Sequence, residues 1–254
     1  FINVDFSMFL YLFLFGSKKN KIWITLCYNP LKDLVVWKKK IIIHVLNKAD
    51  LIIVTNKNFL KAVPGNVVFI PDYYYKEELY RKYQCSSKKN QVVCLGTMGE
   101  TKQLEDLVVV EKSLSIPVII KGNFAHDIER FNRLKKQAEG YKNIFVENKY
   151  VGNDEYYKTI SESEYVILPY DMTLYDERTS GILLETVFLR SVPVAPNKLL
   201  EYNNIEGIGY DLMSELESRL VNPIVTDIII EKNDVFVKKN FSEKAIMSRL
   251  IKEL

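Results

Sequence analysis

Two glutamates and the short polar turn between them carry the densest chemistry in this sequence. In YVILPYDMTLYDERTSGILLETVFLRSVPVAP (165–196), Glu177 and Glu185 are separated by seven residues. An apolar run ends at Pro169-Tyr170, a polar loop follows, and a helical pattern begins near Thr179-Ser180-Gly181 and stops near Arg190. Thr179 or Ser180 suits the N-cap, where a side-chain oxygen accepts from a first-turn amide, and Gly181 lets a ligand approach the backbone closely. The first turn of a helix offers unpaired N–H groups and a partial positive charge. The amides of Ser180-Gly181-Ile182 therefore form a seat for a pyrophosphate. Glu177 lies just before that seat, and Glu185 lies inside the helix, roughly 7.5 Å of rise from Ser180. Each oxygen of a carboxylate accepts hydrogen bonds, so carboxylates are natural partners of vicinal hydroxyls. A sugar nucleotide held there by its phosphates would offer its sugar to one carboxylate and its ribose to the other.

Such a turn must be held by strands and helices, and the sequence supplies them in alternation. Apolar, β-branched runs predict strands at 2–6, 21–27, 50–55, 66–71, 91–97, 117–122, 143–148, 164–170 and 192–196. They are apolar on both faces, as in parallel strands covered by helices on two sides. Between them, Ile128, Phe131, Leu134 and Ala138 form one helical stripe, and Leu104, Leu107, Val108 and Leu114 form another. Strand–helix–strand units at this spacing predict right-handed crossovers and parallel sheets, which bind ligands at the carboxyl ends of their strands. The stretch DYYYKEELYRKYQCSSKKN (72–90) breaks the pattern. The expected division is a partial N-terminal domain (1–75), a linker (76–90), a C-terminal nucleotide-binding domain (91–240) and a closing helix (241–254).

The composition bounds the function. The chain has 254 residues, 48% hydrophobic and 26% charged, which excludes disordered and fibrous classes. A net charge of +3 gives no case for a nucleic-acid partner. The charge is uneven, however: Lys18, Lys19, Lys21, Lys32, Lys38, Lys39, Lys40 and Lys48 face a single acid, Asp33, across residues 17–48. That cluster reads as a solvated helix face or as a surface resting on anionic lipid headgroups, with Trp37 as an interfacial anchor or a core residue. Cys27, Cys85 and Cys94 show neither CxxC pairing nor zinc-ligand spacing, and fit a reducing cytosol. FSMFLYLFLF (6–15) is too short to cross a bilayer and reads as a buried helix. The first residue is Phe1, so the natural chain is expected to begin earlier.

Glu177 and Glu185, set between PYD and VPVAP, resemble the E-x7-E motif of the retaining GT-B glycosyltransferases, family 4 in particular. The resemblance extends over most of the chain and implies an α/β fold of two Rossmann-like domains of GT-B type, with a complete C-terminal domain and a partial N-terminal one. LGTMGETKQLEDLVVVEK (95–112) is similar to that family's glycine turn, where an arginine and a lysine grip the donor phosphates. Lys102 matches the lysine, Gly96 the turn, and Thr97 stands where the arginine is expected. Arg178 could supply the missing charge. IIKGNF (119–124) matches the turn after the second strand, and by the same resemblance backbone groups near Tyr150 and Val151 contact the base. The family's donor-facing histidine is replaced by Cys27-Tyr28-Asn29, and His44 and His126 fall on expected helices.

The resemblance implies sugar transfer from a nucleoside-diphosphate sugar to an acceptor hydroxyl, with retention, by a hexosyltransferase of surface polysaccharide or glycolipid synthesis. The expected partners are the nucleotide sugar, a glycan or lipid-linked acceptor and an anionic membrane surface, at the cytoplasmic face of the plasma membrane. No cofactor is expected, the donor being a substrate. No metal is expected either, because no DxD follows a strand; Lys102 and the helix amides would stabilise the leaving group. A non-catalytic subunit that binds sugar nucleotide without turnover, and a GT-B sugar-nucleotide epimerase, are the alternatives.

Overall fold

A computed structural model describes residues 2–3, 6–17, 23–27, 34–57, 59–71, 73–85, 87–110, 116–124, 127–175, 180–216, 220 and 223–253. The elements run β1 (Ile2–Asn3), α1 (Phe6–Phe15), β2 (Ile24–Cys27), α2 (Val36–Leu46), β3 (Leu51–Val54), α3 (Phe59–Ala62) and β4 (Val67–Phe69). They continue as α4 (Glu77–Tyr83), β5 (Lys89–Thr97), α5 (Leu104–Val110), β6 (Val118–Asn123), α6 (Ile128–Ala138), β7 (Ile144–Asn148), α7 (Asn153–Glu162) and β8 (Ser163–Ile167). Then follow α8 (Met172–Tyr175), α9 (Gly181–Phe188), β9 (Val192–Pro196), α10 (Asn197–Asn203) and β10 (Ile208–Tyr210). A 3₁₀ turn (Met213–Glu215), a long helix (Pro223–Phe241) and a closing helix (Glu243–Glu253) complete the chain.

The chain divides into two compact units. In the first, β1-β2-β3-β4 form a parallel sheet in sequence order. All four residues of β3 are buried, as expected of a central strand covered on both faces. One face packs Ile52 and Val54 against Phe9 of α1 and Ile42, Val45 and Leu46 of α2. On the other, Leu51, Ile53 and Val68 meet Leu250 of the closing helix. The expectation of a buried α1 is corrected: Phe9 is its one buried residue, and Met8, Tyr11, Phe13, Leu14 and Phe15 are exposed. Among the described residues α1 meets α2 and one face of the sheet, and it buries the stripe that faces them.

The second unit holds a six-stranded parallel sheet in the order β10-β9-β8-β5-β6-β7. The chain builds outward from β5 to β7, then returns to the other side of β5 with β8. This makes β5 and β8 neighbours at a switch point, where loops diverge and leave a crevice at the carboxyl ends. The strand β10 was not expected from the sequence; it has three residues, one of them glycine. A Cβ on Gly209 would lie 1.8 Å from Asn197 Oδ1, so a larger residue there would make that side chain turn away. The stretch expected as a linker contains α4, whose Tyr80 is buried among the rings of Tyr75, Tyr157 and Phe188. In α6, Ile128 of the expected stripe is exposed, and Arg130 turns inward instead.

At the amino ends of the strands, Lys88 ties three segments together. Its ammonium donates to Ser161 O (2.6 Å), Ser191 Oγ (2.9 Å) and, more weakly, Leu189 O (3.4 Å). Burial lowers its pKa to about 8. With the folded pKa below the unfolded one, the unfolded chain binds more protons between those values, so this group adds stability as pH rises through that window. Compared with Lys88→Met, the wild-type chain should therefore gain about 2 kcal/mol in denaturant stability between pH 8 and about pH 10. A constant difference between the two would show that the lysine is not desolvated.

Candidate functional site

Of the expected site residues, the switch point brings together Gly96, Lys102, Ser180, Gly181 and Ile182. Gly96, the next-to-last residue of β5, has a φ of +98°, in the left-handed region that glycine adopts freely. A Cβ on Gly96 would stand 2.8 Å from Ile182 Cδ1 and 3.7 Å from Lys102 Nζ. The end of β5, the turn after it and the first turn of α9 are thus in direct approach. Gly122, paired with Gly96 on β6, permits the same closeness from the other side: its Cβ would lie 1.9 Å from the Gly96 carbonyl oxygen. Gly122→Ala pushes backbone into backbone and should lower thermal stability by about 2 kcal/mol or more. An unchanged melting temperature would mean that the two strands separate there at little cost.

Lys102 lies before α5 rather than in its first turn, and it is buried, with 4% of its surface exposed. Its ammonium donates to Leu95 O at 2.6 Å, lies 3.9 Å from Met98 Sδ and faces the Tyr170 ring at 5.9 Å. Among the described residues it makes no ion pair with a carboxylate. Burial lowers its pKa from the ordinary lysine range, and the nearby Arg130 charge adds to that. Arg130 is a positioning residue that the sequence did not reveal. It donates to Gly99 O (2.8 Å) and Lys102 O (2.6 Å), fixing the turn, while Glu105 accepts from it at 2.7 and 2.6 Å.

The turn is also stitched to the end of β8. Lys102 and Tyr170 form an antiparallel bridge, Gln103 N donates to Pro169 O at 2.6 Å, and Asp171 N donates to Thr101 O at 2.9 Å. The Tyr170 ring stacks on Tyr175 at 3.8 Å, and its hydroxyl lies 3.4 Å from Ser180 Oγ. Ser180, not Thr179, is the N-cap of α9: its Oγ accepts from Leu183 N at 3.2 Å. That bond occupies one first-turn donor. The amides of Gly181 and Ile182 have no partner among the described residues, and both residues are half-buried. A buried cation and two amides without a partner among the described residues thus belong to segments that meet at Gly96, an arrangement suited to an anion.

Glu185 is buried at 7% exposure on the second turn of α9, and its Oε2 accepts from the Tyr156 hydroxyl at 2.7 Å. Burial raises the carboxyl's pKa, while hydrogen bonds from Tyr156 and Tyr157 oppose the rise. A carboxylate on a helix flank, desolvated and steered by tyrosine hydroxyls, has oxygen lone pairs left for further donors. Thr97 is exposed at the tip of β5, and Tyr150 (79% exposed) and Val151 follow β7, two strands along. Glu177, Arg178, Thr179 and His126 lie outside the described residues. Among the described residues no group of three or more His, Cys, Asp or Glu side chains could hold a metal ion.

A cleft of about 700 Å³ lies elsewhere in this unit, between α10 and the long helix, and is lined by Glu201, Glu206, Glu231 and Phe236 among others. Its three acids against Lys232 make it a poor seat for a diphosphate.

No protein-family model and no curated protein matches the chain. Solved structures do. A glycosyltransferase from Rickettsia africae ESF-5 superposes with a TM-score of 0.70 at 16% identity, covering 97% of this chain and 72% of its own. TarM gives 0.71 at 14%, covering 98% of this chain and 53% of its own. Anabaena HepE, in complex with UDP and glucose, gives 0.73 at 11%, covering 98% of this chain and 75% of its own. The chain thus spans about half the length of TarM and about three quarters of the other two. Identities this low show the fold alone, and that fold is α/β with two Rossmann-like units of GT-B type.

Proposed function

We propose that this chain binds a nucleoside-diphosphate sugar and transfers the sugar to an acceptor hydroxyl. The observation that carries the reading is Lys102, a buried ammonium with no carboxylate partner among the described residues, whose Nζ approaches Gly96 as the Ile182 side chain at the start of α9 does. A diphosphate there would supply a counter-charge. As the glycosidic bond breaks, negative charge grows on the departing diphosphate, and fixed donors already aimed at it lower the barrier. In this reading Glu185 accepts from the ribose hydroxyls, Glu177 holds the sugar, Tyr150 and Val151 border the base, and Arg178 stands in for the arginine absent at Thr97. The chemistry is hexosyl transfer with retention and without a metal. The acceptor is a surface glycan or a lipid-linked one, met at the cytoplasmic face of a membrane. That Anabaena HepE was solved with UDP and glucose supports a UDP-linked donor.

Thermal melting in the presence of UDP-, GDP- and ADP-linked sugars tests the proposal. The cognate donor at a hundred times its dissociation constant should stabilise the chain by about 2.7 kcal/mol. If no nucleotide sugar moves the transition, the reading fails. Nucleotide release that depends on an acceptor identifies a transferase; a donor altered without acceptor identifies an epimerase.

A further inference from the structure

Glu185 is steered by a hydroxyl from another helix, so the placement of that helix bears on the carboxylate. Tyr156, whose hydroxyl donates to Glu185 Oε2 at 2.7 Å, closes the first turn of α7. The far end of α7 is anchored: Ile160 and Ser161 are buried, and Lys88 donates to the Ser161 carbonyl at 2.6 Å. The near end starts without a side-chain cap. Its N-cap is Gly152, which has no side chain to accept from a first-turn amide. Glu155 provides an anchor instead. Its carboxylate accepts from Lys121 at 2.6 Å and, through both oxygens, from Lys149 at 2.9 Å. These two hydrogen bonds hold the Glu155 carboxyl at a pKa of about 2, so it is ionised across the working pH range. Both lysines belong to the carboxyl edge of the sheet. Lys121 precedes Gly122 on β6, and Lys149 follows β7, with its amide donating to the Gly122 carbonyl at 2.9 Å.

As a source of stability this cluster is minor. The Lys149 and Glu155 side chains are 52% and 39% exposed, and solvent-screened pairs of that kind contribute about 0–1 kcal/mol. As a fixed point it counts for more. The lysines stand on the sheet, Glu155 stands on the helix, and Tyr156 is the next residue along. Released from its anchor, an uncapped first turn frays while the rest of α7 stays packed. The Tyr156 hydroxyl then meets Glu185 less often. We infer that Glu155 is a positioning residue for Glu185: through Lys121 and Lys149 it fixes the first turn of α7 and so aims the Tyr156 hydroxyl at the carboxylate. The consequence for binding rests on Glu185 as the ribose acceptor of the proposed function. The aiming of the hydroxyl does not.

Two readouts test it, the first without any ligand. The hydrogen bond from Tyr156 opposes the burial that raises the Glu185 pKa. In a carbon-13 NMR titration, Glu155→Ala should therefore raise the pKa of the Glu185 carboxyl, in the same direction as Tyr156→Phe. Its melting temperature should fall by no more than about 3 °C. Lys121 also has Glu147 at 3.4 Å, so the variant leaves that lysine an acid. Glu155→Gln, which offers one accepting oxygen instead of two, should fall between wild type and Glu155→Ala. The second readout is calorimetric titration with UDP and its 2′,3′-dideoxy counterpart. Glu155→Ala should cut the preference for UDP about fivefold. Adding Tyr156→Phe should cost no further preference, because both changes act through one hydroxyl. An unmoved Glu185 titration, or losses that add in the double variant, overturns the inference. A wild-type chain that binds the two nucleotides equally sinks the ribose assignment instead, and the carboxyl titration still decides the positioning.

Discussion

Lys102→Met should melt higher than the wild-type chain and bind a nucleoside diphosphate about a hundredfold more weakly. The two effects come from one cause. In the folded chain the ammonium has left water for a site where Leu95 O is its hydrogen-bonded oxygen and no carboxylate among the described residues offsets its charge. Burying a charge without a counter-ion opposes folding, and methionine fills similar space without it; a gain of about 1 kcal/mol is expected. The same substitution removes the cation proposed to meet the diphosphate, so the ligand loses its strongest partner. A lysine with a purely structural role behaves oppositely: its removal lowers stability and leaves ligand affinity alone. Differential scanning fluorimetry and calorimetric titration with UDP separate the cases. A pH dependence follows as well. Burial places the Lys102 pKa below the ordinary lysine range, so diphosphate affinity should begin to fall at a lower alkaline pH than an exposed lysine would give, and Lys102→Met should flatten that limb.

Glu185→Ala should raise the dissociation constant for a nucleotide sugar at least about tenfold. The loss should be selective. If the carboxylate receives the ribose hydroxyls, the variant discriminates little between a ribonucleotide and its 2′,3′-dideoxy counterpart, whereas the wild-type chain prefers the ribonucleotide. Tyr156 donates to the same carboxylate at 2.7 Å, so Tyr156→Phe should reproduce a fraction of that lost preference through a less well fixed acceptor. Equal affinity of wild type and Glu185→Ala for a nucleotide sugar would remove Glu185 from the site.

The sequence revealed what short-range pattern can encode. The Val- and Ile-rich runs of β3, β5, β6, β8 and β9 read as strands covered on two faces, and the structure places them so. The start of α9 was readable within one residue, since a hydroxyl followed by glycine before an apolar run has few other uses; the structure selects Ser180. Partners far apart in sequence were not readable. Arg130 reaches back 28 residues to the Lys102 carbonyl, and Tyr156 reaches forward 29 to Glu185. Neither contact leaves a periodic trace. The burial of Lys102 was hidden for the same reason: its surroundings come from β5, the turn after it and Tyr170. The exposure of α1 was missed because composition reports how apolar a helix is and not how much of it a sheet can cover.

A structure of the chain soaked with UDP puts the central claim to the most direct test. The account predicts the diphosphate within hydrogen-bond distance of the Gly181 and Ile182 amides and of Lys102 Nζ, with the ribose on Glu185. A nucleotide bound elsewhere, or those two amides found occupied by the chain's own oxygens, would contradict it and leave the fold without this chemistry.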